Sequence, residues 1–499
     1  MITRHIVFSK NHPMKRVLSI ISCLIAFFSC QDVQKSKINI SDQAQLLHNG
    51  KIVNVKDGNV LENQAILVDS ARIVTISTYG DLSEMVPAER QIDAKGKYII
   101  PGLWDMHVHF EGEDLVEDNL ALFPVFVAYG ITTVRDMASD LGEQVLQWRE
   151  EIAADKFLGP QIFTAGRKLE GIDSFWKGDL EIANEEELQQ MLDKLEDYEV
   201  DMVKVTENAL SGELFLQSVK QAHERGFLVS AHVPLDLSME DLAAAGLSSI
   251  EHASYLLRLG TDEYRIAHEV ANGRMSPSEA NTYYAGHFDQ DTAMLHYQKL
   301  ADSGLAITPT LIGGKQLAYY DVDNHADDDF RKYLTDRFTS NYQWRIDRIA
   351  DSSPEQWQAR KERYQQIAAQ LPYLQRAGMT ILAGSDAAAL NTFVYPALSL
   401  HQELELFQEA GLSPLQVLQT ATINGAAFMG KSSTMGTVET GKQADLVLLN
   451  SNPLKDVGAT QDIFAVMNDG QYFDRRALDA LLEHASQRKT QLDQERLTR

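Results

Sequence analysis

The chain has 499 residues, of which 44% are hydrophobic, and its formal net charge at pH 7 is −26. This length and hydrophobic content suffice for a large buried core, whereas so acidic a body should repel nucleic acid. Both cysteines, Cys23 and Cys30, lie near the N-terminus. The rest of the chain therefore has no thiol for a disulfide, a thiolate metal site or a cysteine nucleophile.

The N-terminal residues predict an export signal. A basic start at residues 14–16 precedes an apolar run of about a dozen residues, which is too short to span a membrane comfortably. The run ends in a small residue followed by Cys30 and resembles a bacterial lipoprotein signal, although Phe27 replaces the usual leucine. We expect cleavage of residues 1–29, lipidation of Cys30 and a polar tether over residues 30–42.

A lipid anchor would place the protein in the bacterial cell envelope, on the inner or outer membrane, and without it the exported protein would lie in the periplasm. A plain signal peptide cut nearby and a retained anchor stay open as alternatives. Translation can start at Met1 or at Met14. Residues 1–29 contain four basic residues and no acidic one, so their removal takes the formal net charge from −26 to −30.

Two stretches, residues 43–98 and residues 434–476, have the pattern of short alternating strands separated by turns. Residues 444–449 illustrate the pattern, because they form a short apolar run of high strand propensity. We expect the two chain ends to build one small β-sandwich domain beside the central part of the chain, residues 99–433. Residues 477–499 are predicted to form a C-terminal helical tail.

In the central part, short apolar strands alternate with helix-like segments, and most of these strands follow a glycine. This alternation predicts an α/β protein with a parallel (β/α)₈ barrel of the TIM type. The eight predicted strand regions are 98–109, 130–134, 160–165, 201–205, 226–232, 246–252, 304–310 and 378–386. The long aromatic connections 256–303 and 311–377 lie at the rim that selects substrates in this fold.

Six polar side chains fall at the carboxyl ends of the predicted strands, where active sites of this fold lie. His107 and His109 are two residues apart on one strand, so they face the same side and can bind one metal ion. The other four are Lys204, His232, His252 and Asp386. Their convergence on one rim predicts a site for a divalent metal.

Nine short strings in the chain, taken together, resemble those of the metal-dependent amidohydrolase superfamily, in its imidazolonepropionase-like and prolidase-like branch. The strings occupy residues 101–109, 132–136, 203–205, 231–234, 250–252, 383–387, 409–414, 421–427 and 441–449. They follow the family's order from about residue 46 to about residue 475. The strings are specific for the superfamily and poorly specific for the substrate.

The resemblance implies a role for each strand-end residue. The two histidines of the first strand, with Asp386, would hold one divalent ion, and His232 and His252 would hold a second. Lys204 would react with carbon dioxide to give a carbamate that bridges the ions. Such a reaction needs a neutral amine, which burial beside cations favours. Zinc is the expected metal, and a centre with one ion and no carbamate stays open.

The implied reaction is hydrolysis of an amide or cyclic amide C–N bond, as in a dipeptide, a lactam or an imidazolone. Metal ions would lower the pKa of a water molecule, and the resulting hydroxide would attack the carbonyl carbon. Asp386 would accept the water proton and pass it to the leaving nitrogen. Tyr255, Arg135 and His401 are candidates for contacts with the substrate. Asp105 is expected to face away from the site and to support the structure.

Two other functions stay open, a deaminase of a cyclic amidine and a non-catalytic surface lipoprotein that binds a small solute. The hydrolase is favoured because no member of the expected ligand set is missing. We expect a small-molecule substrate, no nucleic-acid partner, and a membrane contact only through a lipidated Cys30. The sequence leaves the oligomeric state open, a homo-oligomer included.

Overall fold

A computed structural model describes residues 39–498 of the chain. The predicted signal peptide, the lipidation site Cys30 and most of the tether lie outside the described residues, so these stay predictions. Within residues 39–498 no helix is both long enough and apolar enough to cross a membrane. The described part combines parallel and antiparallel sheets with many helices, which confirms the predicted mixed α/β class.

Eighteen strands occur in the described residues. They are β1 (Gln45–Val53), β2 (Val60–Asp69), β3 (Arg72–Ser77), β4 (Gln91–Asp93), β5 (Tyr98–Pro101), β6 (Leu103–Val108), β7 (Ile131–Asp136), β8 (Gln161–Thr164), β9 (Leu169–Gly171), β10 (Leu180–Ile182), β11 (Met202–Val205), β12 (Leu228–Ala231), β13 (Ser249–Glu251), β14 (Ala306–Thr308), β15 (Thr380–Ile381), β16 (Leu446–Leu449), β17 (Ile463–Asn468) and β18 (Gln471–Asp474).

The same residues contain eighteen α-helices and four short 3₁₀ helices. The α-helices are α1 (Tyr79–Leu82), α2 (Val116–Ala128), α3 (Gly142–Ala153), α4 (Glu185–Asp197), α5 (Gly212–Glu224), α6 (Met239–Ala244), α7 (Glu263–Ala271), α8 (Pro277–Gly286), α9 (Gln290–Asp302), α10 (Leu311–Ala318), α11 (Asp336–Ser340), α12 (Gln343–Ile349), α13 (Pro354–Ala368), α14 (Leu371–Ala377), α15 (Leu398–Glu409), α16 (Pro414–Thr420), α17 (Ile423–Phe428) and α18 (Arg475–Leu497). The 3₁₀ helices are Ala88–Arg90, Ala253–Gly260, Asp329–Tyr333 and Val457–Gln461.

Both ends of the described chain contribute to one sheet of eight strands. Its order is β18-β17-β16-β5-β1-β2-β3, with β4 paired to β1. The N-terminal and C-terminal strands meet where β16 pairs antiparallel with β5 and Val447 lies opposite Ile100. Because these strands form a single hydrogen-bonded sheet in the described residues, the predicted two-layer β-sandwich is not confirmed.

The eight predicted barrel strands correspond to β6–β8 and β11–β15, and all of them pair in parallel with their neighbours. They occur in two sheets, one ordered β6-β7-β8 and the other ordered β10-β9-β11-β12-β13-β14-β15. The described strands therefore do not form one continuous closed barrel. The parallel arrangement nevertheless brings the carboxyl ends of neighbouring strands to the same edge of each sheet.

Backbone hydrogen bonds join the two parallel sheets at both sides. On one side, the N–H of Met106 donates to the carbonyl of Ala383 over 2.8 Å. On the other side, the N–H of Asp201 donates to the carbonyl of Thr164 over 2.9 Å. The strand end that carries the paired histidines consequently lies beside the chain that follows β15.

The transitions between helices and strands follow from local sequence. Asn184, Ser211 and Ser238 each cap a helix, accepting a hydrogen bond from a backbone N–H of the first turn. The glycines before the predicted strands have positive φ, for example 90° at Gly226 and 83° at Gly378. This left-handed conformation is the one predicted for a glycine that ends a helix and starts a strand.

Two long connections and a C-terminal helix complete the described chain. Helices α7–α9 lie between β13 and β14, and α10–α14 lie between β14 and β15. Helix α18 packs against α2 and buries Leu478, Ala485 and Leu492. The α10–α14 connection is important below, because it forms one wall beside the predicted site.

Candidate metal centre

Four histidines and one aspartate meet at the carboxyl ends of the parallel strands. His107 lies in β6, whose six residues are all buried, and His109 follows that strand by one residue. His232 follows β12 directly, His252 follows β13 directly, and Asp386 lies after β15. Strands β6 and β13 are buried along their whole length, and β12 and β15 are buried at the end nearest the site.

The ring nitrogens of the histidines approach one another closely in two pairs. The Nε2 atoms of His107 and His109 are 3.2 Å apart, and those of His232 and His252 are 2.9 Å apart. Asp386 Oδ1 lies 3.4 Å from the Nε2 of His107 and 3.2 Å from that of His109. Nitrogen lone pairs and a carboxylate oxygen thus face a shared space.

The second ring nitrogen of each histidine in the first pair contacts an acceptor away from this space. His107 Nδ1 lies 2.7 Å from Oε2 of Glu251, and His109 Nδ1 lies 2.7 Å from the backbone carbonyl of Ala138. Since both partners can only accept when Glu251 is ionised, each Nδ1 carries the hydrogen of the neutral ring. The Nε2 lone pairs are then free to bind a metal ion.

In the second pair each Nδ1 also faces a polar oxygen, but the approach of Glu207 to His232 has the distance of an ion pair and not the geometry of a hydrogen bond. His252 Nδ1 lies 2.7 Å from the hydroxyl oxygen of Thr310, and His232 Nδ1 lies 3.3 Å from Oε2 of Glu207. All four histidines therefore orient Nε2 toward the common space, as metal-ligating histidines do when an outer partner holds the other nitrogen.

Burial keeps most of these rings neutral. It lowers the pKa of His107 to about 4, lowers that of His232, and takes that of His252 well below the usual value. Burial also acts on His109, but the hydrogen bond and charge of Asp386 outweigh it and raise the pKa. Burial opposes ionisation of Asp386 too, yet the proximity of His107 and His252 and the hydrogen bond with His109 hold its pKa far below the usual range. Neutral imidazoles beside an ionised carboxylate are competent metal ligands.

Three residues of the centre have backbone angles that L-residues rarely adopt. The φ angles are 75° at His252, 48° at Thr310 and 61° at Asp386. Such conformations cost on the order of 1–3 kcal/mol each and persist where the surrounding structure enforces them. The fold thus holds these side chains in their orientation at an energetic cost.

Lys204 lies in β11 with 1% of its surface exposed. Its Nζ atom is buried and has no hydrogen-bond partner among the described residues. Burial lowers its pKa to about 8, which raises the fraction of neutral amine at physiological pH. Lys204, His109, His232, His252 and Asp386 line one cavity of about 630 Å³, here called the central cavity.

The donors fit a divalent metal ion. Ligand atoms of His107, His252 and Asp386 all lie within 4.8 Å of one another, and His109 and His232 approach members of this group. Imidazole nitrogens with carboxylate oxygens are a ligand set that suits zinc. The amine of Lys204 is a further buried polar group without a hydrogen-bond partner, and its conversion to a carbamate would give it a metal ion to bind.

Glu251 was assigned no role from the sequence, where it occurs only within the string of residues 250–252. It is fully buried and holds His107 on one side and Arg135 Nη2, at 2.9 Å, on the other. The charge of Arg135 and the hydrogen bond from His107 outweigh burial and keep its pKa well below the usual value. The string of residues 250–252 marked this position, but its pairing with His107 and Arg135 depends on contacts between distant strands.

The prediction that Arg135 contacts substrate is wrong for this structure. The side chain has no exposed surface, and its guanidinium donates to Glu251, to the carbonyl of Met106 and to the Thr308 hydroxyl. It lies behind the histidines and fixes the carboxylate that orients His107. Arg135 is therefore a positioning residue.

His401 is also placed away from the centre. It is fully buried, and its two ring nitrogens contact the Thr460 hydroxyl at 2.9 Å and the Tyr129 carbonyl at 2.8 Å. The predicted substrate contact is wrong, because both nitrogens already have partners. Asp105, by contrast, supports structure as predicted, accepting hydrogen bonds from the N–H and hydroxyl of Ser385.

Tyr255 lies next to the centre on the 3₁₀ helix Ala253–Gly260. Its hydroxyl donates to Oε1 of Glu207 over 3.0 Å, and the other oxygen of Glu207 faces His232. The tyrosine thus contacts the carboxylate that orients a histidine. Neither Glu207 nor Thr310 had been assigned a role from sequence, because their link to the histidines arises only from packing.

Comparison with known proteins identifies the family. The amidohydrolase family model matches residues 98–472. An adenine deaminase from Geobacillus kaustophilus is 38% identical over 89 residues, which are 18% of this chain and 14% of that protein. The chain matches the curated relatives over 14% to 38% of their own length.

Two solved structures resemble the whole described body. A putative prolidase from Bifidobacterium longum is 24% identical, with 89% of this chain and 98% of that chain covered and a TM-score of 0.62. A bottromycin amidohydrolase is 18% identical, with 90% and 91% covered and a TM-score of 0.69. At these identities the likeness shows the fold alone.

Proposed function

Because this chain belongs to the amidohydrolase family, we propose that it is a metal-dependent hydrolase that cleaves the C–N bond of an amide or a cyclic amide. One observation carries the proposal. Four histidine Nε2 atoms and a carboxylate face a common space, while an outer partner holds each Nδ1. Four imidazole nitrogens and a carboxylate oxygen gathered at one point, with the opposite ring nitrogens facing groups outside it, are typical of metal-ligating histidines.

The proposed ligands form two groups. His107, His109 and Asp386 would hold one divalent ion, and His232 and His252 would hold a second. Lys204 would bridge them as a carbamate, formed when its neutral amine adds to carbon dioxide and releases one proton. When bound, the ions would acidify water and polarise the substrate carbonyl. Zinc is the proposed metal because of the nitrogen-rich donor set.

The chain's own residues account for proton transfer. Asp386 is ionised and stands beside the histidines, so its free oxygen can accept the proton of the attacking water. Water oxygen bonds to the carbonyl carbon, the C–N bond breaks, and the proton held by Asp386 passes to the leaving nitrogen. The Glu251 and Glu207 carboxylates keep the histidines oriented throughout.

The finer architecture belongs to the same proposal. We propose that β6–β8 and β11–β15 make up a single (β/α)₈ barrel over residues 99–433, supported by the backbone hydrogen bonds that join the two parallel sheets. Residues 43–98 and 434–476 would form the adjoining β domain. The helical tail over residues 477–499 would then pack on the barrel through α18.

A cyclic amidine deaminase is the second candidate. It is favoured by the adenine deaminase from Geobacillus kaustophilus, at 38% identity over a short segment. Deamination requires the same addition of water to carbon and departure of nitrogen, so the residues above would keep their roles. Only the substrate would distinguish the two activities.

The test uses the purified full chain. Elemental analysis should find one to two divalent ions per chain, zinc first, and a screen of dipeptides, N-acyl amino acids, lactams and adenine should find hydrolysis that a chelator removes. Well under one ion per chain, with no activity after metal addition, would refute the proposal. Turnover of adenine alone would favour the deaminase.

We also propose export and lipidation at Cys30, followed by residence in the cell envelope. The support is the sequence pattern of residues 14–30. Cell fractionation should find the protein with membranes, and Cys30→Ser should shift it to the soluble fraction. Equal distribution of both forms would argue against the anchor.

A further inference from the structure

A second cavity, of about 440 Å³, adjoins the metal centre. His252, Asp386 and Arg345 line both this cavity and the central cavity, so the two spaces meet at the metal ligands. Two further arginines, Arg360 and Arg363, also line it. We call this second cavity the arginine lobe.

The arginine lobe is built by the long connection between β14 and β15. Arg345 lies on α12, whereas Arg360 and Arg363 lie on α13. Its remaining lining is largely apolar, with two hydroxyl residues, and consists of Ala253, Ser254, Pro309, Thr310, Leu311, Gly313, Gly314, Leu317, Ala318, Tyr364 and Ile367. The lobe thus combines an apolar wall with positively charged groups.

Two adjacent glycines in α10 lack side chains and so leave space along one wall of the lobe. A Cβ atom at Gly314 would lie 3.6 Å from Cδ2 of Tyr364, and one at Gly313 would lie 3.8 Å from Cγ2 of Val394. Alanine would therefore fit sterically, and each glycine costs about 1 kcal/mol of helix stability relative to it. Larger side chains at these positions would occupy the lobe, so the glycines preserve its volume.

The charges of Asp386 and Glu111 act on Arg345 from a distance, but none of the three arginines has a carboxylate in direct contact in the described part of the chain. No carboxylate among residues 39–498 forms an ion pair with Arg345, Arg360 or Arg363. The buried Nε of Arg345 lacks any hydrogen-bond partner there, and its guanidinium lies 5.0 Å from the ring of Trp344. Arg345 is half-buried, whereas Arg360 and Arg363 are exposed. An anion entering the lobe would gain charge-assisted hydrogen bonds from guanidinium groups that have no ion-pair partner.

We propose that the arginine lobe binds the carboxylate of the substrate, and that the substrate is an N-acylated amino acid or dipeptide with a free carboxylate and an apolar side chain. This inference rests on the proposed hydrolase, because it places the scissile C–N bond at the metal centre. Arg345 borders both cavities, so of the three arginines it would bind the substrate carboxylate closest to the reacting carbonyl. Arg363 would provide a second donor.

The chemistry of the lobe discriminates against the other substrate classes. Adenine, and a lactam or imidazolone without an acidic substituent, carries no negative charge to interact with the arginines. A guanidinium binds a carboxylate through two parallel hydrogen bonds, which a neutral carboxamide cannot match in strength. The chain as a whole has a formal net charge of −26, whereas this cavity is lined by three arginines without ion-pair partners. The local charge of the lobe is therefore opposite in sign to that of the chain.

The test compares matched acids and amides by isothermal titration with the zinc-loaded full chain. The probes are acetyl-leucine, acetyl-phenylalanine and glycyl-proline, each against its carboxamide. We expect at least one acid to bind about tenfold tighter or more than its amide, the range of a charge-assisted hydrogen bond. Arg345→Met and Arg363→Met should each remove about tenfold of this preference, while Arg345→Lys should keep part of it.

The matched control is Arg376→Met on α14, whose guanidinium lies over the ring of Tyr373 and lines neither cavity. It removes the same charge and should leave the acid preference unchanged. Equal binding of acid and amide in every pair, or an unchanged preference in Arg345→Met and Arg363→Met, would overturn the inference. Acid preference without hydrolysis of any C–N substrate would refute the proposed function and leave the anion site standing.

Discussion

The metal centre and the arginine lobe share His252 and Asp386 in their walls but are constructed in opposite ways. At the centre, the reactive side chains lie in or after largely buried strands, and each histidine has its second ring nitrogen beside a polar group outside the centre. In the lobe, Arg345 and Arg363 project from helices of a long connection, and no carboxylate of the described residues forms an ion pair with them.

This difference separates chemistry from selection. Groups that must be in place before the reaction are preorganised by strands and by buried hydrogen bonds. Groups that recognise a substrate can remain unpaired until it arrives, since the substrate completes their interactions. Changes at the centre should therefore alter turnover and metal content, whereas changes in the lobe should alter substrate affinity.

Replacing the bridging candidate should have the largest effect. Lys204→Ala removes the buried amine that would hold both ions, so activity should fall by about 10³-fold, within the upper range for a single catalytic group. Bicarbonate with a short carboxylic acid should restore part of the activity. Turnover near that of the wild type with two ions bound, by assay and elemental analysis, would contradict the bridge.

Asp386→Asn separates proton transfer from metal binding. Asparagine keeps the shape and one ligand oxygen but cannot accept a proton, so kcat should fall by at least about 10²-fold. The second ion, assigned to His232 and His252, should stay bound in elemental analysis. A loss of kcat below about threefold would remove Asp386 from the mechanism.

Glu251→Gln tests whether the outer partners matter. It weakens the hold on His107 and leaves Arg135 without its carboxylate, so metal affinity or activity should fall by about 10–100-fold. The control is Glu263→Gln, which breaks another buried pair, Glu263 Oε1 with Arg258 Nη2 at 2.5 Å. Both variants should lose thermal stability, but only Glu251→Gln should lose metal in competition with a chelator. Equal metal retention would show that Glu251 is purely structural.

The smallest effect is expected for a buried carboxyl group that lies outside both the metal centre and the arginine lobe. Asp445 is buried, its Oδ2 atom has no partner among the described residues, and burial raises its pKa to about 7. The unfolded chain loses this proton near pH 4 and the folded chain near pH 7, so folding becomes costlier between these values and stays so above pH 7. Asp445→Asn removes the cost while keeping the acceptor for the Asp469 N–H.

Thermal denaturation at two pH values tests the predicted effect of Asp445 on stability. The gain in Tm from Asp445→Asn should be larger at pH 8 than at pH 5, and hydrolysis should be unchanged. A gain that is equal at both pH values would mean that the carboxyl does not titrate as described. Altered turnover would show that the terminal sheet influences the centre.

The sequence contained enough information to predict the parallel strands and the residues that the structure brings together at their ends. Apolar runs, the glycines that precede them and the alternation of side chains along a strand are local properties, so they can be read residue by residue. The two-residue spacing of His107 and His109 placed both on one face for the same reason.

Other predictions needed contacts that local patterns do not encode. Arg135 and His401 resembled substrate residues by position, yet packing buried both and gave them partners elsewhere. Glu251 lies 144 residues from His107 in sequence and is joined to it only because β13 and β6 carry their ends to one edge.

The sequence by itself determined the α/β class, the strand-end ligand candidates and the family. Only the tertiary structure decided which carboxylates hold the histidines, that Lys204 Nζ is unpartnered, and that Arg345 and Arg363 meet beside Asp386. The physical reason is that periodicity records which face of an element is buried. The partner met on that face depends on how distant elements pack, and therefore on the fold as a whole.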